Sequence, residues 1–86
     1  MPRYIVERDL PAGFPGRTAK GWLRLVERND DVDVTWLQSY VSEDGLRAFC
    51  VYEGRSPEAV RRASALNGLP VARITQVRVL DPHPYK

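Results

Sequence analysis

The sequence predicts an α+β fold in a single domain, with the element order β-α-β-β-α-β along its 86 residues. Two stretches repeat apolar residues at helical spacing, four are rich in β-branched and aromatic residues, and clusters of Gly, Pro, Asn and Asp separate them. The contents of 43% hydrophobic and 28% charged residues are those of a globular protein. A chain this short buries only about 60% of its unfolded surface, so we expect marginal stability or self-association.

The first strand and the first helix are predicted in the N-terminal third of the chain. Tyr4-Ile5-Val6 is a short β-branched and aromatic run that ends before Asp9, and the Pro- and Gly-rich residues 11–16 indicate a loop. Residues 17–28 predict a helix, whose apolar residues recur at positions i, i+3, i+4 and i+7: Ala19, Trp22, Leu23 and Val26. The turn cluster at residues 29–31 ends this helix.

A hairpin follows, predicted from two stretches in which side chains alternate with period two. Residues 34–41 form its first strand and residues 46–53 its second, and Ser42-Glu43-Asp44-Gly45 supplies the loop between them.

The second helix and the last strand have clear boundary signals. Ser56 is suited to the N-cap and Pro57 to the first helical turn, and Asn67-Gly68 is suited to the C-terminal end. The apolar stripe of this helix consists of Ala59, Val60, Ala63 and Leu66. Residues 73–80 alternate as a fourth strand, and residues 81–86 are a Pro-rich tail that cannot continue it.

This element order is that of the ferredoxin-like plait, a four-stranded antiparallel sheet with two helices on one face. Right-handed crossovers place both helices on the same side, the first and third strands in the centre and the other two at the edges. One face of the sheet is therefore open.

Side-chain alternation divides the strand residues between the two faces of the sheet. We expect the aliphatic and Phe set to lie under the helices: Ile5, Leu37, Val41, Phe49, Val51, Val77 and Val79. The opposite set is aromatic and amphipathic, and we expect it on the open face: Tyr4, Val6, Trp36, Gln38, Tyr40, Ala48, Cys50, Tyr52, Gln76 and Arg78. Such a face is typical of an interface, which predicts a homodimer or a ligand pocket roofed by a partner. The alternative is a lone sheet whose aromatic rings cover strand backbone.

Composition excludes several classes of function. A net charge of +2, with no run of five like charges, is too small for nucleic-acid binding, and no apolar stretch approaches the roughly 20 residues of a transmembrane helix. One Cys and one His exclude a disulfide scaffold and a zinc finger. The first residues lack the apolar segment of a signal peptide, so we expect a cytoplasmic protein. No nucleophile-base-acid trio and no phosphate-binding Gly loop are visible, which favours a binding protein over an enzyme.

Several segments together resemble a known family. They are Glu7-Arg8-Asp9-Leu10-Pro11, Trp36 with Ser39-Tyr40-Val41, Cys50-Val51-Tyr52-Glu53, Gly68-Leu69-Pro70, Arg73-Ile74, Val77, Val79 and Asp81-Pro82. In this order they resemble a family of small bacterial, often actinobacterial, ferredoxin-like proteins, some of them described as nickel-binding or nickel-responsive. The resemblance implies the plait, dimers and, in some members, bound nickel.

The resemblance also bears on possible metal ligands. Members often carry a His-Ala pair in the second helix, where this chain has Ala63 and Ser64. The remaining candidate nickel ligands are Cys50, Glu7, Asp9 and His83. For Glu7 and Asp9, ion pairing with neighbouring arginines is the alternative interpretation.

These observations lead to one expectation and two alternatives. We expect a cytoplasmic, dimeric protein that binds a small ligand or a metal ion through its open sheet face. The first alternative is a cofactor-independent enzyme of the dimeric α+β barrel type, such as a small monooxygenase or isomerase, and it rests on shared topology alone. The second is a purely structural interaction domain.

Overall fold

The computed structural model describes residues 1–13 and 18–85. Its elements, in chain order, are β1 (Arg3–Asp9), α1 (Ala19–Asp30), β2 (Thr35–Val41), β3 (Arg47–Glu53), α2 (Pro57–Leu66) and β4 (Arg73–Val77), followed by a short 3-10 helix at His83–Tyr85. The predicted order βαββαβ is confirmed. The predicted loop at residues 11–16 and the predicted helix start at residue 17 fall partly outside the described residues.

The four strands form one antiparallel sheet in the order β2-β3-β1-β4, so the predicted central and edge strands are confirmed. β4 is shorter than the prediction of residues 73–80. Val77 pairs with Arg3, the first residue of β1, so β4 ends where its partner strand begins. Residues 78–80 continue the alternating sequence pattern, but they pair with no residue of β1 and are not part of the strand.

Both helices begin at side-chain caps. The Thr18 hydroxyl accepts a hydrogen bond from the Gly21 N–H, and the Ser56 hydroxyl accepts one from the Ala59 N–H. Each cap satisfies a backbone donor that the first helical turn leaves without a partner. The signals at Ser56 and Pro57 thus predicted the start of α2 correctly.

The inward stripe of α1 differs from the prediction. Leu25 and Asn29 are its buried residues, whereas Leu23 and Val26 are 59% and 42% exposed. The helix is rotated because Trp22 stacks on Trp36 of β2, with ring centroids 5.5 Å apart. This contact turns the Trp22-Leu25-Asn29 side towards the rest of the molecule.

The core lies between the helices and the sheet, and the sheet face that forms it is the reverse of the predicted one. The core side chains are Tyr4, Val6, Leu10, Val34, Ala48, Cys50, Tyr52, Val60 and Ala63. Tyr4, Cys50 and Tyr52, which we expected on the open face, are thus buried. Ile5, Phe49 and Val51, which we expected under the helices, lie on the other face and are only half-buried.

Side-chain volume explains this reversal. The side of α2 that faces the sheet consists of small residues, Ala59, Val60, Ala63 and Ser64. Protein interiors are close-packed, so the sheet must supply the large side chains opposite them. Tyr4 and Tyr52 are the largest side chains of the core cluster that also contains Val60 and Ala63 of α2.

A β-bulge in β2 further divides the residues that the alternation pattern had grouped. Trp36 pairs with Tyr52, but the next pair is Gln38 with Val51, so the register shifts at Leu37. Trp36 therefore lies on the helix side, while Gln38 and Tyr40 lie on the open face. A single inserted residue reverses the parity of a strand.

Candidate functional site

The open face of the sheet carries an apolar surface that neither α1 nor α2 covers. Ile5, Phe49, Val51 and Val77 are half-buried there, and Tyr40 is 61% exposed. Alternating backbone geometry brings these side chains from all four strands to one surface. We call this surface the open face.

Ion pairs border the apolar residues of the open face. The Arg3 Nε lies 3.2 Å from the Glu53 Oε1, and Arg47 lies 3.6 Å from Glu7 and 3.7 Å from Asp9. Arg73 lies 3.9 Å from the second oxygen of Glu7. Three arginines and three carboxylates thus offset one another, and the sheet surface is close to neutral.

A groove of about 410 Å³ lies on the open face. Its lining residues are Arg3, Ile5, Leu37, Gln38, Tyr40, Val51, Val77, Arg78 and Val79. The Gln38 amide donates a hydrogen bond to the Tyr40 hydroxyl, so the Tyr40 O–H remains able to donate to a ligand. The groove is therefore mostly apolar, with arginine at two points and no carboxylate in its lining.

A second polar cluster, which sequence reasoning missed, surrounds Arg8 between the sheet and α2. Arg8 is only 1% exposed, and its guanidinium donates to the Pro70 carbonyl (2.8 Å), the Tyr52 hydroxyl (2.9 Å) and the Ser64 hydroxyl (3.1 Å). Its Nε has no hydrogen-bond partner, and within residues 1–13 and 18–85 it forms no ion pair with a carboxylate. The sequence did contain a signal for its burial, because side-chain alternation places Arg8 on the same face of β1 as Tyr4 and Val6.

This cluster shifts the ionisation of Tyr52. Burial raises the pKa of the Tyr52 hydroxyl above its usual value of 10.0, and the nearby Arg8 charge opposes this only in part. The phenol is therefore protonated at neutral pH and is not a general base there.

The structure separates the site residues predicted from sequence. Tyr4, Cys50 and Tyr52 are core residues, and Trp36 packs against the core with its Nε1 donating to the Ser39 hydroxyl at 2.9 Å. The groove brings together three of the predicted residues: Gln38, Tyr40 and Arg78. Gln76 pairs with Tyr4 and is exposed at the sheet edge, beside a shallower hollow near the N-terminus.

The four candidate metal ligands are not brought together. Cys50 is buried on the helix side, whereas Glu7 and Asp9 lie on the open face. Both carboxylates are paired with arginine, and His83 is exposed in the tail. Within the part of the chain that the structure describes, no three His, Cys, Asp or Glu side chains are grouped to hold a metal ion. The residues of one copy therefore do not fit nickel, which prefers several imidazole, thiolate or carboxylate ligands around one point.

The sequence model of one protein family matches residues 4–77, and the family is described as nickel responsive protein SCO4226-like. The match spans both helices and the whole sheet except Arg3, the first residue of β1. The chain belongs to this family. The resemblance identified from sequence motifs is thereby confirmed.

A solved structure agrees with this assignment at the level of the fold. The crystal structure of SCO4226 from Streptomyces coelicolor A3(2) is similar to this chain with a TM-score of 0.66 and 20% sequence identity. The match covers 92% of this chain and 99% of that chain, so the two have the same fold over nearly their full lengths. A comparison with curated proteins finds no match. Among the described residues, no helix has the length and apolar character needed to cross a membrane.

Proposed function

We propose that this protein is a small homodimeric binding protein, in which the open faces of two copies pack against each other around a ligand groove. The observation that carries this proposal is the row of half-buried apolar side chains on the open face, which the chain's own helices leave uncovered. Contiguous exposed apolar surface marks interaction sites in small proteins.

The charge pattern favours a second copy of this chain as the partner of the open face. In a twofold dimer the same surface meets itself, so a strongly charged surface would be repelled. On the sheet surface, Arg3, Arg47 and Arg73 are offset by Glu7, Asp9 and Glu53. This arrangement lets two open faces approach, and it allows each arginine to find a carboxylate across the interface.

Light scattering after size-exclusion chromatography tests the dimer. At tens of micromolar we expect a mass of two chains for the wild type and of one chain for Val51→Lys, which places a charge in the middle of the open face. The control Ala65→Lys, at an exposed position of α2, keeps the mass of two chains. Circular dichroism verifies that both variants are folded. A wild-type mass of one chain at these concentrations contradicts the proposal.

Nickel binding is the second candidate function, and only the description of the family favours it. Because Cys50 and the Glu7–Asp9 pair lie on opposite faces of the sheet, we expect no saturable heat when Ni²⁺ is titrated into the protein in a calorimeter. Saturable heat that disappears in Cys50→Ala would show that Cys50 binds the metal. In that case the nickel role implied by the family extends to this chain.

A further inference from the structure

The groove on the open face combines an apolar floor with positive charge. Its floor comprises Ile5 and Val51 of the two central strands, with Val77 beside them. A volume of about 410 Å³ lies within the range of small-molecule sites, which are mostly apolar with a few polar groups that fix orientation. The floor therefore suits the hydrocarbon part of a small molecule.

The charged side chains that line the groove are both arginines, Arg3 and Arg78. Arg3 is already paired with Glu53, but Arg78 makes no ion pair with any residue that the structure describes. The Tyr40 hydroxyl accepts from Gln38 and keeps its own proton to donate. The lining thus presents a guanidinium and a hydroxyl proton but no carboxylate to repel an anion.

From this combination we infer that the groove binds a small amphipathic anion, a molecule with an apolar body and one carboxylate, with Arg78 holding the carboxylate and Ile5, Val51 and Val77 contacting the body. This inference rests on the proposed function, because the groove is the space that two packed open faces would enclose. It adds the charge and the chemical class of the ligand.

Calorimetry with three probes of equal chain length tests the inference. The probes are decanoate, decanol and decyltrimethylammonium, each used below the concentration at which it forms micelles. We expect decanoate to bind more tightly than decanol and the cationic probe to bind most weakly. Equal binding of all three, tightest binding of the cation, or no binding of decanoate would overturn the inference.

Variants at Arg78 and Val79 provide the specific test. Arg78→Gln should weaken decanoate binding about tenfold and leave decanol binding nearly unchanged, because one charge-assisted hydrogen bond is lost. The matched control Arg24→Gln, on the exposed surface of α1, should bind decanoate like the wild type. Val79→Asp should weaken decanoate binding more than Val79→Asn does, since only Asp adds a negative charge. Equal decanoate affinity in wild type and Arg78→Gln would overturn the assignment of Arg78.

The two proposals fail separately. Light scattering reports the dimer without any ligand, and calorimetry reports decanoate binding whatever the mass of the protein. A single-chain mass together with preferential decanoate binding would refute the dimer and retain the anion site. A dimer that does not bind decanoate would refute the anion site and retain the dimer.

Discussion

Among single residues, the buried Arg8 connects β1 to three other parts of the molecule. Arg8 on β1 donates to Tyr52 on β3, to Ser64 on α2 and to the Pro70 carbonyl on the segment leading to β4. A buried charge without hydrogen-bond partners costs several kcal/mol, so these neutral acceptors are needed to hold the guanidinium in the core. Ser64 accepts one of these hydrogen bonds, which explains why a hydroxyl lies in the otherwise apolar stripe of α2.

Removing the Tyr52 hydroxyl should expose this dependence. We expect Tyr52→Phe to lower the free energy of unfolding at pH 7 by about 1–3 kcal/mol, because a buried charged donor loses an acceptor. Urea unfolding measures this difference. Arg24→Gln, at an exposed position of α1, serves as the control and should change stability by less than about 0.5 kcal/mol.

The wild type and Tyr52→Phe should also differ in alkaline solution. The folded-state pKa of Tyr52 is raised above 10.0, so its favourable contribution is complete below pH 10 and is lost as pH rises through the folded-state value. The wild type should therefore lose more stability above pH 10 than Tyr52→Phe does. Parallel stability curves for the two proteins between pH 9 and 11 would show that Tyr52 does not contribute this pH dependence.

Among the secondary-structure elements, local sequence signals determine where α2 begins. Packing against other elements determines the rotation of α1 and the end of β4. Ser56 and Pro57 act within one helical turn, so the sequence predicted this start correctly. The rotation of α1 depends instead on the stacking of Trp22 on Trp36, a contact between distant residues. The early end of β4 likewise depends on where β1 begins.

The cap at Ser56 should therefore contribute a local and predictable stability. We expect Ser56→Ala to lower the free energy of unfolding by about 1 kcal/mol, since the Ala59 N–H loses its acceptor. Ser56→Asp keeps an acceptor at the cap and should cost much less. Chemical denaturation of the three proteins checks this expectation, and an equal loss in both variants would mean that Ser56 stabilises α2 in another way.

Self-association should be visible in the stability of the whole molecule. If two open faces pack together in the folded state only, the dimer is favoured over unfolded chains by mass action. We therefore expect the Tm of the wild type to rise when its concentration is raised a hundredfold, while the Tm of Val51→Lys stays constant. Calorimetric scans at several concentrations measure this dependence, and a wild-type Tm independent of concentration would argue against coupled folding and association.

The sequence alone determined the element order, the hairpin, the cap of α2, the central and edge strands and the family, because these depend on short-range periodicity, capping chemistry and the handedness of crossovers. Alternation also sorted most β1 and β3 side chains into two sets correctly, but it could not say which set the helices cover. Only the tertiary structure decided that, since the choice depends on fitting Tyr4 and Tyr52 against the small side chains of α2. The tertiary structure likewise decided the bulge at Leu37 and the burial of Arg8. It also decided which residues line the groove of the candidate site.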